Sequence, residues 1–196
     1  MRTAILLTVL LLAAPAAFAQ RNAGTHFGLG VRIGAGSSNS VAGVVDEDAS
    51  GLSDITFLVP VDINGAFRVE PELGIARISL SDDDSDAEIT GTQYTAGLGI
   101  FALSPQGDVT MTYGLRAGMT SFSQSIDTGG GDADASIRRI SVGPAVGGEY
   151  YLADRFSIGA EVGLDYQIYS FDGDILEDVD VNGFATRTSA ILRFFF

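Results

Sequence analysis

The chain has 196 residues, of which 46% are hydrophobic, 25 are glycine and none is cysteine. That length suits one domain, and the absence of thiols excludes disulfides and thiolate chemistry. Every basic residue is an arginine, and a net charge of −14 argues against nucleic-acid binding, which needs clustered cations.

Residues 1–19 read as a secretory leader: Arg2, an apolar core from Ala4 to Ala14, and Ala17-Phe18-Ala19 before Gln20. A positive end, an apolar region and a small-x-small site are the three parts of an export signal. A spanning anchor helix fits less well, because the apolar run is short and Pro15 interrupts it. The expected organisation is a signal-peptide helix over 1–19 and a single domain over 20–196.

From Thr25 onward, apolar and polar residues alternate, the signature of strands with two different faces. Thr25–Gly36 sets Phe27, Leu29, Val31 and Ile33 against His26, Gly28, Gly30 and Arg32. Ile55–Asn64 sets Ile55, Phe57, Val59, Val61 and Ile63 against Pro60 and Asp62, and the following Asn64-Gly65 is a hairpin signal. Phe67–Leu80 repeats the pattern with Arg68, Glu70 and Glu72 on its polar face. Its phase falters at Arg77-Ile78, which predicts a bulge or a headgroup-level arginine. Gln93–Leu103 runs to a turn at Pro105-Gln106-Gly107-Asp108. Val109–Phe122 carries Arg116 on its polar face, Arg139–Leu152 carries Arg139 and Glu149, and Phe156–Tyr169 carries Glu161 and Asp165. The eighth strand, Gly183–Phe196, sets Phe184, Leu192, Phe194 and Phe196 against Arg187 and Arg193.

Long polar connections are expected at Ser37–Asp54, Ser81–Thr92, Ser123–Arg138 and Ser170–Asn182, with short turns between them. The pattern predicts an all-β fold, an eight-stranded antiparallel up-and-down barrel able to cross a bilayer. Alternation alone does not say which face is the lumen, because a soluble ligand-binding barrel would turn its apolar face inward. The charges decide for a membrane barrel. The less apolar face carries six arginines (Arg32, Arg68, Arg116, Arg139, Arg187, Arg193) and six acids (Asp62, Glu70, Glu72, Glu149, Glu161, Asp165). Enclosed charges are tolerable only when paired, so this balance predicts a lumenal charge lattice. Aromatic residues cluster near strand ends on the apolar face, as interfacial girdles do. Seventeen further acids fall in the long connections, which makes the rim acidic.

The mature chain resembles the small eight-stranded outer-membrane proteins, the OmpA-transmembrane-domain and OmpX-like barrel families. The resemblance spans about all of residues 22–196. It is carried by the leader, the alternation of short turns and long loops, and the end of the chain, where Phe196 follows apolar Phe194 and Leu192. It implies export by the Sec pathway, a Gram-negative outer-membrane location, and contact with outer-membrane lipid and lipopolysaccharide. It also implies that Leu192, Phe194 and Phe196 act as the signal read by the barrel-assembly machinery.

Barrel enzymes need a histidine base beside Ser or Asp at the outer rim. The one histidine, His26, opens the first strand and so belongs at the opposite end, which argues against an enzyme. Asp82, Asp84 and Asp86 alternate in SDDDSD and offer the oxygen ligands that suit Ca²⁺ or Mg²⁺, but the EF-hand positions hold Ala87 and Gln93, and a solvated acidic loop is the simpler reading. The expectation is therefore a monomeric, cofactor-free structural or surface-interaction protein, adhesin-like, with a surface ligand or host partner. A narrow passive porin-like channel is the alternative.

Overall fold

The computed structural model describes residues 24–37, 54–82, 87–127, 132–173 and 176–196. The leader and the first predicted loop, residues 38–53, lie outside these. Among the described residues there are nine strands: β1 (Thr25–Ser37), β2 (Asp54–Leu58), β3 (Val61–Ile63), β4 (Phe67–Asp82), β5 (Ala87–Gln106), β6 (Val109–Asp127), β7 (Asp132–Ala153), β8 (Phe156–Gly173) and β9 (Leu176–Phe195). They form one antiparallel sheet that closes where β1 pairs with β9 from Gly28↔Phe195 to Ser37↔Thr186. The Phe196 amide extends this seam by donating to the Phe27 carbonyl at 2.9 Å.

Nine strands fill eight staves. The predicted second strand is split into β2 and β3 at Val59-Pro60, because proline has no amide to give the ladder. The chain nevertheless holds its line: the Gly28 amide donates to the Pro60 carbonyl and the Val59 amide to the Pro71 carbonyl, both at 2.9 Å. Cross-strand partners followed round the ring run Gly36↔Arg187↔Gly163↔Ala145↔Gly114↔Phe101↔Arg68↔Asp62↔His26, so one circuit returns to β1 ten residues earlier. Ten residues of about 3.3 Å against eight strand spacings of about 4.8 Å tilt the staves by about 40°.

Three expectations need correction. The predicted long loops Ser81–Thr92, Ser123–Arg138 and Ser170–Asn182 are largely paired strand, with ladders reaching Asp82↔Ala87, Asp127↔Asp132 and Gly173↔Leu176. Their Ile and Thr residues keep the alternation, and beyond an apolar band both faces of a ribbon meet water, so polar residues do not end it. No bulge occurs at Arg77-Ile78, where the β4–β5 register is unbroken; the irregularities lie at Tyr151/Ala153 and Phe171/Gly173. The Pro105–Asp108 turn shrinks to Gly107-Asp108, with Gly107 at φ +66°. The Asn64-Gly65 hairpin has both residues at positive φ, 53° and 63°, as a primed turn requires.

The two faces separate as the alternation predicts. Phe27, Leu29, Phe57, Leu73, Ile75, Ile100, Leu115, Val162, Phe184 and Phe196 point outward and are exposed, whereas Arg68, Glu70, Thr56 and Glu149 point inward and are buried. A protein in water would be built the other way round.

Candidate functional site: the lumenal ion-pair network

The inward positions of β1, β3, β4, β6, β7, β8 and β9 each supply a charged side chain to the lumen. β5 supplies space instead. A Cβ on Gly97 would run into the Glu72 side chain, and one on Gly99 would lie 2.9 Å from Arg116 Nη1 and against the Phe101 ring. These glycines let side chains from β4 and β6 meet across the strand that separates them.

The network is continuous. Nearest the Asn64-Gly65 turn, Arg68 grips Asp62 with two bonds, Nε to Oδ1 at 2.6 Å and Nη2 to Oδ2 at 2.9 Å, and donates Nη1 to Glu149 Oε2 at 2.7 Å. Arg193 links Glu149 to Glu70, with Nη1 to Glu149 Oε2 at 3.3 Å, Nε to Glu70 Oε2 at 2.6 Å and Nη2 to Glu70 Oε1 at 3.1 Å. Arg116 is the hub: it donates to Glu70 at 2.5 Å, to Glu72 at 2.9 Å, and through Nε and Nη2 to Glu161 at 2.8 and 2.9 Å. From Glu161 the path continues to Arg187 Nη1 at 3.0 Å, and Arg187 donates to Asp165 at 2.9 and 3.3 Å. Arg32 Nη1 lies 2.8 Å from Glu72 Oε2.

Eleven of the twelve charged residues assigned to the lumen from the sequence are thus joined by ion pairs, five arginines with six acids. The twelfth, Arg139, donates to Thr120 Oγ1 at 3.4 Å. Guanidinium forks suit this role, since each holds several carboxylates in a fixed plane, which an ammonium cannot do. The arms of Arg116 and Arg193 are chords: they join β6 to β4 and β8, and β9 to β4 and β7. Side chains therefore bridge the lumen from wall to wall at mid-height.

Other inward residues complete the packing, and their roles are not legible from alternation. Phe101 lies under the Arg116 guanidinium, 4.9 Å from its ring centroid, and Phe195 lies 5.3 Å from the Arg68 guanidinium carbon. Such contacts favour a desolvated cation. Both rings fall in the less apolar set of their strands, which was the available signal. Ser157 Oγ donates to Glu149, and Tyr151 stacks on Phe195 at 6.1 Å. Farther from the short turns, Tyr169 donates to Gln167 and stacks on Phe171 at 6.3 Å. Beside Arg32, the buried hydroxyls of Thr56 and Ser189 have no hydrogen-bond partner among the described residues.

The remaining candidates do not join the network. Leu192, Phe194 and Phe196 are on the outer wall, with Phe194 edge-on to Phe196 at 5.6 Å. Asp82 ends β4, and Asp84 and Asp86 lie outside the described residues. No cluster of metal-ligating side chains occurs among the described residues. His26 lies opposite Asp62 at the short-turn end of β1.

The model of the outer membrane protein beta-barrel domain matches residues 4–190. No curated protein sequence matches the chain. Among solved structures, the fold is similar to a major outer membrane protein from Thermus thermophilus, at 12% identity and a TM-score of 0.57, covering 88% of this chain and 100% of that one. It is also similar to Ail, the attachment invasion locus protein of Yersinia pestis, in complex with the heparin analogue sucrose octasulfate, at 16% identity, 87% and 97% coverage and a TM-score of 0.48. Neisserial surface protein A shares 16% identity over 88% of this chain and 97% of that one, with a TM-score of 0.44.

Proposed function

The chain belongs to the outer membrane protein beta-barrel domain family, and on that premise we propose that it is a closed, non-enzymatic barrel that displays acidic loops at the cell surface. Its outer-membrane location explains the outer wall, since lipid is the solvent that exposed Phe, Leu, Ile and Val side chains require. The observation that carries the functional reading is the bridged lumen. Arg116 and Arg193 reach across it to acids on three other strands, and each arm is buried. An eight-stranded barrel is only wide enough for side chains to fill, so the interior serves as a rigid core and activity is left to the surface. There, hairpins rich in Asp and Glu continue beyond the apolar band, and we read them as the face that meets a ligand or a host partner.

Two subsidiary assignments follow the same reading. The barrel works as a monomer, since closure leaves no sheet edge to share. Leu192, Phe194 and Phe196 serve the assembly machinery, because on the outer wall they are available before the barrel closes. Single-channel recording on the pure protein in planar bilayers tests the closed-lumen reading. Electrical silence is expected, and stable conductance steps would replace it with a narrow passive channel. Binding assays on loop-deleted forms test the surface role: loss of binding to envelope or host preparations is expected, and binding that survives removal of every loop would refute it.

A further inference from the structure

Two arginines on the outer wall of the strands stand apart from the network. Arg77 on β4 and Arg138 on β7 are exposed, and both belong to the outward set of their strands, Arg77 with Leu73 and Ile75 and Arg138 with Ile140 and Val142. Neither has an ion-pair or hydrogen-bond partner among the described residues, in a chain with 25 acids to 11 arginines. A cation on the lipid face is costly at mid-bilayer and nearly free at the interface, so height decides what these residues are for.

The register supplies the height. From Phe67, which opens β4 at the short-turn end, Arg77 is ten residues along the strand. That is about 33 Å of strand, and at about 40° of tilt about 25 Å of rise, the height of an outer-membrane apolar band. From Tyr150 on β7, Arg138 is twelve residues up and so about 30 Å higher. Both arginines therefore sit where the apolar wall ends, on the side away from the short turns and the C-terminus. Between them the wall of β5 and β6 turns from apolar to hydroxyl: Thr92 and Ser123 follow Arg77 along one row of the sheet, and Ser121 is directly opposite Arg138. Exposed Tyr94 faces the lipid beside Ser121. The exposed acid Asp180 shares the row of Arg138 but accepts from Ser170 Oγ at 2.8 Å.

We infer that Arg77 and Arg138, with the hydroxyls of Thr92, Ser121 and Ser123, form a docking face for a phosphate-bearing lipid of the outer leaflet. The inference rests on the membrane placement proposed above and adds a site to it. Charge complementarity names the occupant: the two cations are three strand spacings apart, about 15 Å round the wall, at the one depth where lipid phosphates lie. The rim above them is acidic and repels anions, so fixed cations below it are what would hold a phosphorylated headgroup against the barrel. The intervening hydroxyls donate to phosphate oxygens without adding a charge that the lipid tails must bear.

The test is lipid retention. The full barrel is extracted in mild detergent, exchanged into micelles containing either bisphosphorylated lipid A or the same lipid after enzymatic dephosphorylation, and bound lipid is counted by native mass spectrometry. Wild type should keep the phosphorylated lipid and not the dephosphorylated one. The Arg77→Gln/Arg138→Gln double variant should lose about tenfold or more of that retention, the scale expected of two interfacial arginines. Arg155→Gln, in the opposite turn, should retain lipid as wild type does. Equal retention by the double variant overturns the proposal, as does equal retention of the two lipids by wild type; the second comparison decides even if the double variant does not fold. The outcomes also separate this site from the closed-barrel reading: loss of discrimination in an electrically silent barrel sinks only the site, whereas conductance steps with discrimination intact sink only the closed lumen.

Discussion

Removing the Glu161 carboxylate strikes the lumen where two arginines depend on one acid. Glu161 accepts from Arg116 at 2.8 and 2.9 Å and from Arg187 at 3.0 Å. Breaking a buried ion pair by deleting one partner costs roughly 3–5 kcal/mol, because the surviving charge keeps its desolvation penalty. The structure sets Glu161→Ala below that ceiling, since Arg116 retains Glu70 and Glu72 and Arg187 retains Asp165. A loss of about 2–4 kcal/mol follows. Equilibrium urea unfolding of detergent-folded protein, followed by gel mobility with and without heating, reads it as a fall in midpoint at unchanged slope. A double-mutant cycle with Arg187→Ala isolates the shared contact, which should couple by about 0.5–3 kcal/mol. A midpoint for Glu161→Ala equal to wild type, or a cycle with no coupling, would refute the view that these charges are buried and mutually dependent.

Three further outcomes follow from other parts of the barrel. Gly114→Ala should prevent folding or cost several kcal/mol, since its Cβ would collide with the Ile100 carbonyl oxygen and the Phe101 ring, neither of which can withdraw; recovery of a heat-modifiable band at wild-type stability would contradict this. Thr56→Val should be neutral or stabilising by about 1 kcal/mol, because the hydroxyl it removes is buried without a partner among the described residues; a fall in the unfolding midpoint would mean that the hydroxyl is satisfied. Deleting Phe196 should slow assembly in cells while leaving the purified barrel's unfolding midpoint almost unchanged, as the residue is 64% exposed and contributes one seam hydrogen bond. Normal assembly rates in pulse-chase experiments would refute its role as a signal.

The two-faced strands were legible because their period of two is absolute: one misplaced residue would turn every side chain of the stave, from Phe156 to Ile168, to the wrong solvent. Strand ends were not legible, because the alternation test depends on an apolar face and that face stops at the edge of the lipid. Glu88 to Thr92 and Ser123 to Asp127 pair along their full length with few apolar residues to betray them. Pro60 falls inside an unbroken alternation, and only the ladder it interrupts shows the division of the stave. The phase slip at Arg77-Ile78 is real in the residue pattern but not in the backbone. Arg77 keeps the outward phase of Leu73 and Ile75 while changing chemistry, as a side chain at the headgroup level does.

Membership of the lumenal charge network was legible from face alone, whereas its wiring was not. Arg68 and Asp62 are direct cross-strand partners and could be paired from a hairpin register. Arg116 and Glu70 are two strands apart but share a row through Gly99, so two successive hairpin registers bring them together. Arg193 and Glu70, by contrast, lie on either side of the β1–β9 seam and meet only through the ten-residue offset of the closed ring, which no local pattern encodes. That offset is fixed jointly by every register in the sheet, so a slip anywhere displaces the Arg193–Glu70 contact. Arg193 therefore acts on the whole barrel: its guanidinium finds Glu70 only when the ring closes with this offset, and any other closure breaks a buried pair. Buried pairs are poor sources of net stability but strong penalties against misregister. A slip of two residues would keep the lipid-facing set outside and the charged set inside, so against such slips that penalty, and not the outer wall, is what gives the sequence a single way to close.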